Sequence, residues 1–202
     1  MKEVAMTEIL QPSFRLFAGR RSFLTRSGAA VLSAAAIALL AGSEGLAAGQ
    51  KKKGGFATSD ASILNTALGA EFEAVAAYQV GAESGLLQKP VLDLAVQFQG
   101  QHQAHADLLA KTVKRLGGRP AEPRKTADYK FPVEQLKTQV DVLRFAAGLE
   151  QGAVSAYLGA VPLFGNRDLA KAAASILGDE AMHWAVLRNA VGEAPVPAAF
   201  IS

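Results

Sequence analysis

Two stretches of this chain repeat one spaced set of polar residues inside apolar helical stripes, and that repeat leaves few folds open. Glu71 is followed seven residues later by Tyr78, and Glu150 seven residues later by Tyr157. A histidine cluster follows each pair: His102-x-x-His105 in the first half and Glu180-x-x-His183 in the second. Glu71 to His105 spans 34 residues, and Glu150 to His183 spans 33. The chain has only 3 histidines in 202 residues, and all of them fall in these two clusters.

The stripes themselves predict helices. Leu64, Leu68, Glu71, Val75 and Tyr78 step by three and four, so they share one helical face. That helix is expected to start at an N-cap, Ser59 or Asp60, and to run to about Ser84. A second helix starts at Pro90 and runs to about Leu116, with Leu94, Phe98, His102, His105, Leu109 and Leu116 on one stripe. Gly117-Gly118 stops it. A third runs from near Pro132 to about Ala160, where Pro162 blocks it, and its stripe is Leu136, Val140, Leu143, Ala147, Glu150, Val154 and Tyr157. A fourth follows Asn166 and ends near Val191, with stripe Leu169, Ala173, Ile176, Glu180, His183, Leu187 and Ala190. No segment reads as a strand. The expectation is an all-α four-helix bundle over residues 59–192. It consists of two helical hairpins joined by a long crossover, residues 117–132.

Each helix then places a polar residue on its core-facing stripe. A bare carboxylate or imidazole is costly there unless it is paired or bound to a metal. Six ligand-capable groups converge: Glu71, His102, His105, Glu150, Glu180 and His183. Residues at i and i+3 lie about 5–6 Å apart at Cβ, so one helix can present two donors to one site. Mixed carboxylate and imidazole donors suit iron, manganese or zinc, and oxygen-rich sets lean toward iron and manganese. A metal-free hydrogen-bonded network is the plainer alternative. Six groups in matched half-repeats favour metal. Tyr78 and Tyr157 read either as hydrogen-bond donors to ligand carboxylates or as core filling.

The first 47 residues stand outside the bundle. Gly19-Arg20-Arg21-Ser22-Phe23-Leu24-Thr25 reads as a twin-arginine export signal, followed by an uncharged apolar run from Ser27 to Leu40. That run is short of the roughly 20 residues of a membrane span. Small residues around Ala47 suit cleavage. The expected location is the periplasm or cell envelope, with the twin-arginine machinery as an export partner. Residues 48–58 read as a Lys/Gly-rich linker and 193–202 as an irregular tail. The whole chain has 21 Lys+Arg against 18 Asp+Glu, and without the signal the balance falls to 16 against 15. No nucleic-acid surface is suggested. With no cysteine, disulfides and cysteine-held iron centres are excluded.

From about Asp60 to Val191 the residues resemble the ferritin-like superfamily, nearest in pattern to its exported, twin-arginine-signalled members, with bacterioferritin and rubrerythrin as relatives. His105-Ala106-Asp107 resembles the E-x-x-H-A-D stretch of bacterioferritin's second helix, and Asp179-Glu180-Ala181-Met182-His183-Trp184 the D-E-x-x-H stretch of its fourth. The resemblance implies Glu71 and Glu150 as terminal ligands, His105 and His183 as imidazole ligands, and Glu180 as a bridge. It also implies Asp179 as an acceptor that orients a ligand histidine. His102 departs from it, standing where a second bridging Glu is expected. Three carboxylates leave two divalent ions with a net +1, so the expected cofactor is two iron or manganese ions, or one if His102 breaks a position. The implied function is a metal-dependent oxidase or peroxidase acting on oxygen or peroxide in stress protection, either as a monomer or as a small homo-oligomer. The alternative is a non-catalytic metal-binding or structural stress bundle with a degenerate site.

Overall fold

The computed structural model describes residues 55–201. The signal peptide expected over 1–47 and most of the linker over 48–58 lie outside the described residues. Four helices make up the bundle: α1 Gly55–Glu83, α2 Lys89–Arg115, α3 Gln139–Ala160 and α4 Arg167–Ala190. There is no strand among the described residues. None of the described helices is long and apolar enough to cross a membrane.

Local chemistry explains most of the ends. Pro90 lies in the first turn of α2, where its missing N–H would have had no helical partner. Gly117 follows α2 at φ 81°, which lets the Gly118 N–H reach back to the Val113 carbonyl at 2.9 Å. Asn166 caps α4 by accepting the Asp168 N–H at 2.8 Å.

Two expected starts are corrected. α1 is already helical at Gly55, the first described residue and inside the stretch read as linker, so Asp60 lies within it and does not cap it. Asp60 is 2% exposed and accepts the backbone N–H groups of Gly165 and Asn166 at 2.8 and 3.0 Å, so α1 clasps the turn between α3 and α4. α3 begins at Gln139 rather than near Pro132. Thr138 and Asp141 form a reciprocal capping box that fixes the start, and residues 133–135 make only a single 3₁₀ turn. Val140 consequently stands exposed, while Val142 and Leu143 take the buried side.

α1 packs along α2 and α3 along α4, giving the two expected hairpins. The crossover is tethered to α1. The Asn65 amide donates to the Arg119 carbonyl at 2.7 Å and accepts the Ala121 N–H at 2.8 Å. Arg124 lies over the Tyr129 ring and reaches Glu73 at 3.4 Å.

Two apolar clusters fill the interior. One contains Leu64, Leu68, Ala106, Leu109, Tyr157 and Ile176, and the other Tyr78, Phe98, Leu143, Ala146 and Leu187. On every helix a polar residue separates the two. Glu71 lies between Leu68 and Tyr78, His102 between Phe98 and Ala106, Glu150 between Ala146 and Tyr157, and Glu180 between Ile176 and Leu187.

Candidate metal centre

All six residues singled out in the sequence meet in this polar layer. Glu71, His102, Glu150, Glu180 and His183 are at most 3% exposed, and the His105 side chain is 14% exposed. Their donor atoms form two groups, each within 4.8 Å of one another and of a size to hold a metal ion. The first is Glu71, His102, His105 and Glu180, and the second is His102, Glu150, Glu180 and His183. His102 and Glu180 belong to both.

In the first group, Glu71 Oε2 lies 2.9 Å from His102 Nδ1 and 3.6 Å from His105 Nδ1. Glu180 Oε1 lies 3.1 Å from His105 Nδ1 and 3.5 Å from His102 Nδ1. In the second, His102 Nε2 and His183 Nδ1 lie 3.2 and 3.6 Å from Glu150 Oε1, and His183 Nδ1 lies 3.5 Å from Glu180 Oε2.

Burial and charge oppose each other throughout the cluster. Burial alone would lower His102, but hydrogen bonds to Glu150 and Glu71 outweigh it and raise the imidazole well above its ordinary range. His105 and His183 are each pushed up to about 9 against their own desolvation, by Glu180 and Glu71 and by Glu150 and Glu180 respectively. Burial raises all three carboxylates. At Glu71 and Glu150 the histidines overcome it and hold them low, whereas Glu180 stays raised.

A metal-free network therefore pairs much of the charge, but it leaves specific atoms without partners. His105 Nδ1, His183 Nδ1, Glu150 Oε2 and both oxygens of Glu180 are buried with no hydrogen bond. His105 Nδ1 and Glu180 Oε1 are only 3.1 Å apart yet too poorly aligned to bond. Orphaned buried atoms of this kind are rare in folded proteins. Here four of them face one another, His105 Nδ1 with Glu180 Oε1 and His183 Nδ1 with Glu180 Oε2, so the donor set fits metal.

A family model described as a ferritin-like domain matches residues 59–193, which takes in all four helices and the whole cluster. The chain belongs to the ferritin-like domain family. Among solved structures it is similar to a conserved hypothetical protein, rv2844, from Mycobacterium tuberculosis. The identity is 23%, the match covers 71% of this chain and 97% of that one, and the TM-score is 0.60. At that identity the likeness speaks for the fold. No curated protein matches.

Asp179 stands beside the histidines as the resemblance implied, while three other features of this ferritin-like site were not read from the sequence: Gln101, the crossing of the tyrosines and a cleft. Gln101 Oε1 accepts from His183 Nε2 at 2.8 Å, while Asp179 Oδ2 lies 3.3 Å from His105 Nε2 and 3.5 Å from His183 Nε2. Gln101 precedes His102 just as Asp179 precedes Glu180, which was the available signal. The tyrosines cross over. Tyr78 donates to Glu150, and Tyr157 donates to Glu71 Oε1 at 2.5 Å, each serving the opposite half-repeat. Burial, with the negative charge of these partners, raises both phenols well above 10, so they remain donors. Lastly, a narrow cleft between α1 and α3 reaches Glu71, Glu150 and His102 past Ala67, Ala70, Ala74, Ala153 and Ala156. Its free volume is about 20 Å³, room for about one water-sized molecule.

Proposed function

We propose that this ferritin-like protein is exported by the twin-arginine route and holds two iron or manganese ions. In this reading it reacts with oxygen or peroxide in stress protection at the cell envelope. The observation that carries it is the convergence of six buried donors whose orphaned atoms face one another. Each group offers two imidazole nitrogens and two carboxylate oxygens, a set that suits redox-active divalent iron or manganese. A bound metal pair would supply the electrons for oxidant reduction.

The chain's own residues do the rest. Glu71, His102, His105, Glu150, Glu180 and His183 bind. Gln101 accepts from His183 Nε2 and the Asp179 carboxylate stands 3.3 Å from His105 Nε2, which leaves Nδ1 of His183 and His105 turned inward as the donor. Tyr78 and Tyr157 fix the two terminal carboxylates by hydrogen bonding to one oxygen each. The flanking apolar clusters exclude bulk water, and the alanine-lined cleft admits only a small oxidant.

One observation favours a second reading. His102 already bridges Glu71 and Glu150 by hydrogen bonds, a self-contained arrangement for a non-catalytic bundle. Metal per chain, measured by mass spectrometry on the exported protein, separates the two. About two iron or manganese ions, with peroxide or oxygen consumption, supports the redox reading. No uptake of Fe(II) or Mn(II) under anaerobic conditions sinks it.

A further inference from the structure

His102 is the residue that departs from the family pattern, and a single nitrogen cannot join two metals. The ring, however, has two nitrogens, and they face different groups. Nδ1 points to Glu71 and Glu180 at 2.9 and 3.5 Å, and Nε2 to Glu150 at 3.2 Å. On the opposite side, Glu180 divides its oxygens in the same way, Oε1 toward His105 and Oε2 toward His183. Four donors placed tetrahedrally about 2.0–2.2 Å from a metal lie roughly 3.3–3.6 Å from one another. The nitrogen–oxygen separations in the two groups run from 2.9 to 3.6 Å, close to those edges, and all donor atoms of a group lie within 4.8 Å of one another.

The geometry points to His102 as a bridging ligand that donates Nδ1 to one metal and Nε2 to the other. This inference rests on the metal-centre reading above and adds the connection between the two positions. On loading, the ring binds as imidazolate, and its N–H protons are released to solvent as the two metal–nitrogen bonds form. Charge then closes: three carboxylates and one imidazolate carry −4 against two divalent ions. A Glu at position 102 would give the same total with a shorter link. The replacement therefore keeps the charge of the pair and changes its spacing. Two metals sharing one imidazolate sit about 6 Å apart, given metal–nitrogen bonds of about 2.0–2.1 Å on opposite sides of the ring. Two-metal sites joined by shorter links hold their ions about 3.5–4 Å apart.

The test is anomalous diffraction from crystals of the chain loaded with Zn(II), which is redox-inert and so forms no oxide link by oxidation. The expected result is two ions about 6 Å apart with the His102 ring between them. His102→Glu should draw them to about 3.5–4 Å, and His102→Gln should leave two unlinked ions or one. In the unsubstituted chain, two ions at about 3.5–4 Å, or one ion, overturns the bridge while leaving a metal centre. No bound ion overturns the metal centre itself.

Discussion

His105 and His183 occupy equivalent places in the two half-repeats, yet they rest on different supports. His105 Nε2 faces the Asp179 carboxylate at 3.3 Å, while His183 Nε2 bonds the Gln101 amide at 2.8 Å and has Asp179 only at 3.5 Å. An anionic acceptor makes an imidazole a stronger donor, whereas a neutral amide fixes its direction and adds little basicity. The His105 side chain is also the more exposed, at 14% against 3%. The half-repeat thus preserves the metal-facing atoms and lets their supports diverge. On the two-metal reading proposed above, the two positions would differ in strength, the one on the His105 side being the tighter.

The largest effect should come from Glu180, which with His102 belongs to both groups. Glu180→Ala removes a donor from both groups, so metal content should fall from about two ions to none in competition titration. His183→Ala should empty only the Glu150 side. Two ions retained after Glu180→Ala would mean that the groups do not share Glu180. Next come the supports. Asp179→Asn should weaken the His105 side by about 10–100-fold, the usual loss for such partners. Gln101→Glu should tighten the His183 side and shrink the difference between the two binding constants. Equal constants in the unsubstituted chain would remove the asymmetry altogether.

pH should move both halves together, because both histidines are raised to about 9. A raised histidine stabilises the metal-free fold fully below its unfolded value of about 6.5. That contribution disappears as pH climbs through about 9. Metal binding needs those imidazoles deprotonated, so apparent affinity should rise over the same window. Thermal stability should fall between about pH 6.5 and 9 without metal and stay nearly level with saturating Mn(II), because the rise in affinity offsets the lost histidine contribution. Ala153→Leu, in the cleft, should slow peroxide consumption and leave both binding constants unchanged. Thr138→Ala is the smallest change: it should cost about 1 kcal/mol of stability through the lost α3 cap and affect neither half selectively.

The helices were legible because apolar period and end chemistry agree in them. The six donors were legible because a carboxylate or histidine on an apolar stripe stands out. What the sequence hid was long-range. Asp60 has the composition of a local cap but is engaged by Gly165 and Asn166, far along the chain. Tyr78 and Tyr157 each look like partners of the Glu one and a half to two turns before them, and both bond the opposite one. Gln101 carries no ionisable group to draw notice. The start of α3 was misplaced because Pro132 resembles a first-turn proline, although Thr138 and Asp141 spell the capping box in full.

The polar layer between the two apolar clusters also bears on how this bundle comes apart. Each cluster is a short core of its own, and at the level between them the four helices meet through ionisable groups. Without metal, that level is held by the hydrogen bonds of His102, His183, Tyr78 and Tyr157 and leaves five buried polar atoms unpaired, so the two ends are expected to fray separately. An ion held by three or more helices acts as a rivet through that section, because it binds the folded chain and not the unfolded one. Metal loading should then convert two semi-independent unfolding events, seen by amide hydrogen exchange at opposite ends of α1, into one.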